Sequence, residues 1–169
     1  MKNIAAVFPG QGSQRVGMLA DVVENHAFAG DLFDQASRAL GYVLWQVVSS
    51  DEVRLAQTEY TQVALLVCDW VLYQLWQRNY PDELKGIQLM AGHSLGEYAA
   101  LLAAQSLEFI DAVQLVQVRG RLMQQACDEG EGAMAAIIGL TDQEVVDLCH
   151  QASQGQVVSA ANFNCPGQV

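Results

Sequence analysis

The stretch that most constrains the fold of this chain is IQLMAGHSLGEYAALLAA, residues 87–104. A short apolar run gives way to an alanine-rich helical run across the motif GHSLG at residues 92–96. A buried strand that leads directly into a helix is typical of an open α/β sheet. The order strand, G-x-S-x-G, helix is also the context of a nucleophile elbow.

Strand-like and helical segments alternate along the rest of the chain, which favours the α/β class. In the first part, strands are predicted at residues 3–8 and 87–91, and helices at residues 28–39, 61–78, 95–104 and 111–126. The helix at 61–78 is apolar almost all round, so we expect it to be largely buried. The acidic, glycine-rich DEGEG at residues 128–132 marks the predicted domain boundary. Beyond it we expect a strand at 133–138, a helix at 141–152 that begins with a capping box, and a strand at 157–161.

Ser94 has two interpretations. In a nucleophile elbow the turn would hold its hydroxyl above the sheet, with the N–H of Leu95 and the helix N-terminus directed at a developing oxyanion. Alternatively, the small residues only allow the strand and helix to pack closely. A catalytic serine also needs a base. His93 directly precedes it and is poorly placed, while His26 and His150 lie near predicted helix ends.

A glycine-rich turn, Gly10-Gln11-Gly12, follows the first predicted strand. A dinucleotide fingerprint would need glycine where Arg15 stands, and a Walker A loop would need lysine where Met18 stands, so both are excluded. Two interpretations remain: an ordinary turn, or a loop whose backbone N–H groups approach a ligand. Open α/β sheets bind ligands at the carboxyl ends of their strands, where this loop and Ser94 are both expected.

Arg119 falls on the predicted apolar stripe of its helix. The other positions of that stripe are Ala112, Leu115/Val116, Leu122/Met123 and Ala126. An arginine facing a core needs an anion, which could be an internal carboxylate or a substrate carboxylate held bidentately, unless the side chain reaches the surface. Gly120 costs about 1 kcal/mol against alanine in a helix, which indicates close approach by another group.

Composition excludes several function classes. The net charge of -11 argues against nucleic-acid binding. No signal peptide and no run of about 20 apolar residues is present, so we expect a cytoplasmic protein without membrane partners. The cysteines show no CxxC pair, and no metal site is expected. They are Cys68, Cys127, Cys149 and Cys165.

Six motifs occur in order along the chain: FPGQGSQ at 8–14, TQVALL at 61–66, GHSLGEY at 92–98, VRGRLMQ at 118–124, GAMAAIIGL at 132–140 and NFNCPGQV at 162–169. Together they resemble the malonyl-CoA:acyl carrier protein transacylases of fatty acid synthesis. The resemblance implies an α/β-hydrolase-like large subdomain over residues 1–128. It also implies that residues 129–169 begin an inserted ferredoxin-like small subdomain.

The resemblance also implies roles for single residues. Ser94 would be the nucleophile, the N–H groups of Gln11 and Leu95 would form the oxyanion hole, and Arg119 would hold the malonyl carboxylate. Two further residues would line the substrate pocket: Gln62 and Asn162. The implied substrate is malonyl-CoA and the implied partner is acyl carrier protein, with no cofactor.

The family's catalytic histidine is expected beyond residue 169, so the chain resembles an N-terminal portion that should be inactive alone. Three alternatives stay open on the sequence. One is a related acyltransferase of a polyketide synthase or malonate decarboxylase, although Met1 just before the first strand favours a free-standing enzyme. The others are a serine esterase, which Arg119 argues against, and a non-catalytic fragment that completes a partner.

Overall fold

The computed structural model describes residues 3–126 and 132–169. The chain divides into two compact units, residues 1–127 and residues 128–169, called here the first and the second unit. Residues 128–131 of the predicted boundary lie outside the described residues. The assignment of residues 1–128 and 129–169 to two named subdomains therefore stays a prediction.

The described elements are of both kinds, and each of the two strands is followed by helices, in agreement with the α/β prediction. In chain order they are β1 Ile4–Phe8, α1 Ala20–Asn25, α2 Ala27–Leu40, α3 Leu44–Ser50, α4 Glu52–Leu55, α5 Thr58–Asn79, α6 Pro81–Leu84, β2 Ile87–Gly92, α7 Gly96–Ala103, α8 Phe109–Gln125 and α9 Asp142–Ser153.

The two strands are parallel neighbours. Ile4 lies opposite Ile87 and Phe8 lies opposite Gly92, with an irregularity in the register after Ile4. α7 packs against both strands. Because the strands are parallel, the loop after β1 and the turn after β2 meet at the same edge of the sheet.

The core of the first unit is built around α5. Every residue from Thr61 to Asp69 is buried, which confirms the predicted buried helix and extends its bounds. α2, α3, α4, α7 and α8 all pack against it. A helical segment with apolar residues on all sides must be covered on all sides, and these neighbours help to cover residues 61–69.

Four short helices were not predicted from the sequence: α1, α3, α4 and α6. Each has seven residues or fewer, which is too short for a periodic apolar pattern to stand out. Local chemistry nevertheless supports them. The side chain of Asp51 accepts a hydrogen bond from the Arg54 N–H at the start of α4, and Pro81 occupies the first turn of α6.

The second unit contains α9 between two irregular segments. Its predicted capping box is confirmed, because Thr141 and Glu144 exchange hydrogen bonds, and these bonds lower the pKa of the Glu144 carboxyl. The strands predicted at residues 133–138 and 157–161 are wrong for the described structure. Only isolated bridges form there, Ile138 with Gln168 and Cys165 with Gln168. A strand needs a neighbour for its backbone groups, and no described segment pairs with residues 157–161.

Within residues 3–126 and 132–169, none of the helices combines the length and apolar character that crossing a bilayer would require.

Asp69 is the charged residue in the buried part of α5. Asp69 is only 7% exposed, and its Oδ2 has no hydrogen-bond partner among the described residues. Burial raises the pKa of this carboxyl to about 7. The folded chain therefore holds the proton more tightly than the unfolded chain, whose aspartate titrates near 4.

We predict that Asp69 destabilises the fold as pH rises. Since the folded-state pKa is the higher one, the free energy of unfolding falls from about pH 4 up to about pH 7, by at most about 4 kcal/mol. The Asp69→Asn variant should remove this slope and be more stable than the wild type near pH 8. Urea unfolding at about pH 4 and near pH 8 measures the free energy of unfolding of both proteins. The exposed Asp82→Asn is the control. An equal effect of Asp69→Asn at both pH values would contradict the prediction.

Candidate active site

The turn between β2 and α7 holds Ser94 in a left-handed conformation, with φ of 51°. This region is unfavourable for a residue with a side chain and costs on the order of 1–3 kcal/mol. Ser94 is exposed. Close packing alone does not require a strained serine, so the conformation favours the interpretation as a nucleophile elbow.

The two glycines that flank the elbow, Gly92 and Gly96, stand where any side chain would clash with neighbouring backbone. A Cβ on Gly92 would lie 1.9 Å from the carbonyl carbon of Gly96, and a Cβ on Gly96 would lie 2.2 Å from the carbonyl oxygen of Phe8. Both distances are far below contact, and the neighbours are backbone atoms. The start of α7 therefore lies directly against the ends of both strands.

The glycine-rich loop after β1 packs on the same turn. A Cβ on Gly10 would lie 2.8 Å from the carbonyl oxygen of His93, and the His93 N–H donates to the carbonyl of Phe8 at 3.2 Å. Gln11 Nε2 donates to Thr58 Oγ1 at 3.4 Å, so its side chain extends toward the first turn of α5. The loop and the elbow thus form one continuous edge of the site.

Two backbone amides at this edge are available as donors. Neither the Gln11 N–H nor the Leu95 N–H donates a backbone hydrogen bond to another described residue. The side chain of Leu95 is buried, which fixes its peptide at the start of α7. Their joint action as an oxyanion hole stays a prediction, but both donors have the required freedom.

Arg119 reaches Ser94 from α8. Its Nη2 donates to Ser94 Oγ at 2.9 Å, and its Nη1 donates to Gln62 Oε1. The guanidinium also lies 5.6 Å from the ring centre of Tyr98, within cation–π range. A cation is therefore held beside the serine hydroxyl by two neighbouring side chains.

Gln62 is the buried member of this group. It is fully buried in α5, and its Nε2 donates to Met123 Sδ at 3.1 Å. That second contact fixes which end of the amide faces Arg119, because a flipped amide would turn its NH₂ toward the cation. Gln62 therefore orients Arg119, which agrees with a place in the pocket wall.

The position of Arg119 on its helix corrects the predicted stripe. The buried residues of α8 are Ala112, Val113, Val116 and Gly120. Leu115 and Leu122, which the prediction put on the inner stripe, are 47% and 61% exposed. The inner face follows the four-residue spacing from Ala112 to Gly120, so Arg119 lies at its edge and is partly exposed.

The close approach predicted at Gly120 comes from α5. A Cβ there would lie 2.9 Å from the Cα of Glu59 and 3.1 Å from the carbonyl oxygen of Thr58. Because Arg119 directly precedes Gly120, this contact sets how deeply the side chain of Arg119 enters the site. The neighbouring pair Arg121 and Glu59, at 3.4 Å, lies outside it.

Two residues of the site were missed in the sequence. Tyr98 lies in the first turn of α7, four positions after Ser94, and this closeness in sequence could have indicated it. Met123 follows Arg119 by four positions on α8, but its role as a sulfur acceptor leaves no signal in a sequence.

Three residues considered in the sequence analysis remain: Asn162, His26 and His150. Asn162 belongs to the second unit, whereas the other five predicted site residues belong to the first, so its role in the pocket stays a prediction. His26 joins α1 to α2, with its ring 5.8 Å from that of Phe28, and His150 lies in the last turn of α9. Both are helix-end histidines, as expected.

No cluster of three or more metal-ligating side chains occurs among the described residues.

The fold and the elbow define an α/β protein with a strained serine between a strand and a helix, the class that includes acyl-transferring and ester-hydrolysing serine enzymes. Within that class the chain belongs to the acyl transferase domain family, whose model matches residues 6–169.

Named relatives and solved structures agree with this family. The chain is 53% identical over 170 residues to the malonyl CoA-acyl carrier protein transacylase of Haemophilus influenzae, covering 100% of this chain and 54% of the relative. The structure of the transacylase of that name from Coxiella burnetii aligns with TM-score 0.89 at 48% identity, over 99% of this chain and 52% of the other. A malonyl-transacylase solved with a type II polyketide synthase acyl carrier protein aligns with TM-score 0.91 at 46% identity, over 99% and 53%. The chain thus spans about half the length of these relatives.

We predict that the Gly120→Ala variant destabilises the first unit. Alanine is the better helix former by up to about 1 kcal/mol, but its Cβ would meet the backbone of α5, so a net loss of about 1–3 kcal/mol is expected. Gly30→Ala is the matched control, because Gly30 is also helical and a Cβ there meets nothing within 4 Å. Urea unfolding should show opposite signs for the two variants. Stabilisation by both would contradict the close contact.

Proposed function

We propose that this chain carries the nucleophile and the carboxylate-binding residue of an enzyme that transfers a malonyl group from coenzyme A to the phosphopantetheine thiol of acyl carrier protein. The observation that carries the proposal is the contact of Arg119 Nη2 with Ser94 Oγ at 2.9 Å. It sets a fixed cation beside the atom that would take the acyl group.

The reach of the arginine suits a malonyl group. In a malonyl ester of Ser94 the free carboxylate is separated from the acyl carbon by a single methylene. A guanidinium that already touches Oγ can therefore bind that carboxylate with little movement, and its planar fork suits both oxygens. Longer diacids would carry their carboxylate past it.

The transfer takes two balanced steps. Ser94 Oγ loses its proton to a base and attacks the thioester carbonyl, whose oxygen becomes the oxyanion bound by the Gln11 and Leu95 N–H groups. The C–S bond then breaks and coenzyme A leaves as the thiol. In the second step the carrier thiol attacks the ester and Ser94 regains its proton. We expect the base from the part of the relatives that this chain does not cover.

Arg119 would also provide specificity. A neutral acyl group would leave the guanidinium with only Gln62 and Tyr98, and a site built for a charged partner rejects a substrate that lacks it. This argues against the esterase alternative, in which a neutral acyl chain needs no cation. Neither step requires a metal or a cofactor.

We further propose the subdomain architecture that the sequence suggests. Residues 1–128 would be the first part of an α/β-hydrolase-like subdomain, supported by the parallel strands and the elbow at their ends. Residues 129–169 would begin a ferredoxin-like subdomain, supported by the capped helix α9 between two strand-like sequences. A role of Asn162 in substrate binding is part of the same proposal.

The proposed partner is an acidic carrier protein, although this chain has a net charge of -11. Docking would then require a local basic surface. One similar structure was solved with a polyketide synthase acyl carrier protein, and it favours one alternative. In that alternative the acyl transfer is the same, but the carrier and the product belong to polyketide synthesis.

The test uses a chimeric enzyme in which this chain is joined to the remainder of the Haemophilus influenzae relative. Competing malonyl-CoA and acetyl-CoA measures selectivity. The Arg119→Ala variant should lose preference for malonyl by about 30-fold or more, because removing one member of a close charge pair costs about 2–5 kcal/mol. Arg121→Ala is the control on the same helix, since its side chain pairs with Glu59.

Ser94→Ala should abolish transfer of both acyl groups in the same chimera. If Arg119→Ala kept the malonyl preference of the parent, Arg119 would not be the carboxylate-binding residue. If Ser94→Ala transferred malonyl at the parental rate, the elbow would not carry the nucleophile.

A further inference from the structure

Tyr98 lies in the site but takes no part in the bond-making steps proposed above. It belongs to the first turn of α7, and its N–H donates to the carbonyl of Leu95 at 3.0 Å. Its side chain is half-buried and packs against the core of the first unit. The turn that carries Ser94 therefore also fixes the place of this ring.

The ring of Tyr98 lies against the guanidinium of Arg119. The Cζ atom of Arg119 is 5.6 Å from the centre of the ring. At such a distance the negative face of an aromatic ring attracts a cation, and the attraction grows as water is removed. Arg119 is half-buried, so part of this water is already excluded. The contact joins the start of α7 to α8 at the point where the acyl group would bind.

The contacts described for Arg119 all come from neutral groups. Its Nη2 donates to Ser94 Oγ at 2.9 Å, its Nη1 donates to Gln62 Oε1, and the third contact is the ring of Tyr98. Among the residues that the structure describes, no carboxylate lies within ion-pair distance of this guanidinium. Arg119 is thus held in place while its charge stays unpaired.

The kind of group that holds an arginine decides whether the arginine can bind an anion. A carboxylate partner would also fix the guanidinium, but it would compete with a substrate carboxylate for the same N–H groups. A ring holds the cation by its face and leaves the planar fork free. Arg54 has the opposite arrangement, because it lies 5.7 Å from the ring centre of Tyr60 and also 3.6 Å from the carboxylate of Asp51.

We propose that Tyr98 is a positioning residue that determines acyl specificity through Arg119. In the free site its ring face holds the guanidinium beside Ser94 and leaves the charge unpaired, so that an acyl group with a carboxylate completes the pair. An uncharged acyl group gains nothing from this arrangement. The inference rests on the malonyl transfer proposed above, because it requires a substrate with a free carboxylate.

The test measures kcat/KM for malonyl-CoA and for acetyl-CoA in the chimeric enzyme. Tyr98→Leu removes the ring face and keeps an apolar side chain. We expect it to lower the ratio of the two values, malonyl over acetyl, by about threefold to thirtyfold, as the loss of a half-buried cation–π contact would. Tyr98→Phe keeps the ring and should keep the ratio. Phe28→Leu is the matched control, because it removes a ring in α2 whose centre lies 4.0 Å from the Cζ of Arg78 in the last turn of α5.

Two further measurements separate this role from a structural one. In the Arg119→Ala background, Tyr98→Leu should change the ratio by less than about twofold, because the cation on which the ring acts is gone. Phenylalanine with one, two or three ring fluorines at position 98 keeps the shape of the ring and weakens its negative face step by step. The ratio should then fall with each added fluorine. This series gives the answer even if the leucine variant does not fold.

Three outcomes would overturn the proposal. An unchanged ratio in Tyr98→Leu, beside a lost malonyl preference in Arg119→Ala, would show that Arg119 binds the carboxylate without the ring. An equal fall of kcat/KM for both acyl groups would show that Tyr98 only supports the fold. A ratio independent of the number of fluorines would show that the ring face does not act on the cation. An undiminished malonyl preference in Arg119→Ala would instead contradict the proposed function, and this inference with it.

Discussion

The site depends on the contact between the start of α7 and the ends of the two parallel strands. Gly96 approaches the carbonyl of Phe8 so closely that no side chain could stand there, and Gly92 is equally restricted. This contact forces the chain to reverse within the five residues from Gly92 to Gly96, and Ser94 takes the strained left-handed conformation in that turn. The strain is tolerated because the buried Leu95 and the helix behind it hold the turn.

A second close contact, between α8 and the first turn of α5, positions the cationic side chain of Arg119. Gly120 lets the two helices approach, and Arg119 beside it is held by Gln62. Ser94 and Arg119 are 25 positions apart in sequence, yet Ser94 Oγ and Arg119 Nη2 lie 2.9 Å apart. Both parts of the site thus rest on glycines that allow backbone to pack on backbone. Larger residues at these positions would separate Ser94 from Arg119.

The sequence predicted the central elements well where a pattern reports burial directly. The strand, elbow and helix around Ser94, the buried α5 and the capping box of α9 all follow from local composition and spacing. The inner face of α8 was displaced by one position because Leu115 and Leu122 are apolar but exposed. The hydrogen bond of Gln62 to Met123 depends on tertiary packing and has no local signal. The strands of the second unit failed for a different reason: strand-like residues form a strand only beside a partner.

The most direct test of the central claim is intact and peptide mass spectrometry of the chimeric enzyme after incubation with malonyl-CoA. The account predicts a single malonyl adduct that maps to Ser94. It also predicts that the adduct disappears when acyl carrier protein with its phosphopantetheine thiol is added. An adduct on another residue, or none in a chimera that folds, would contradict the assignment of Ser94 and Arg119 to acyl transfer.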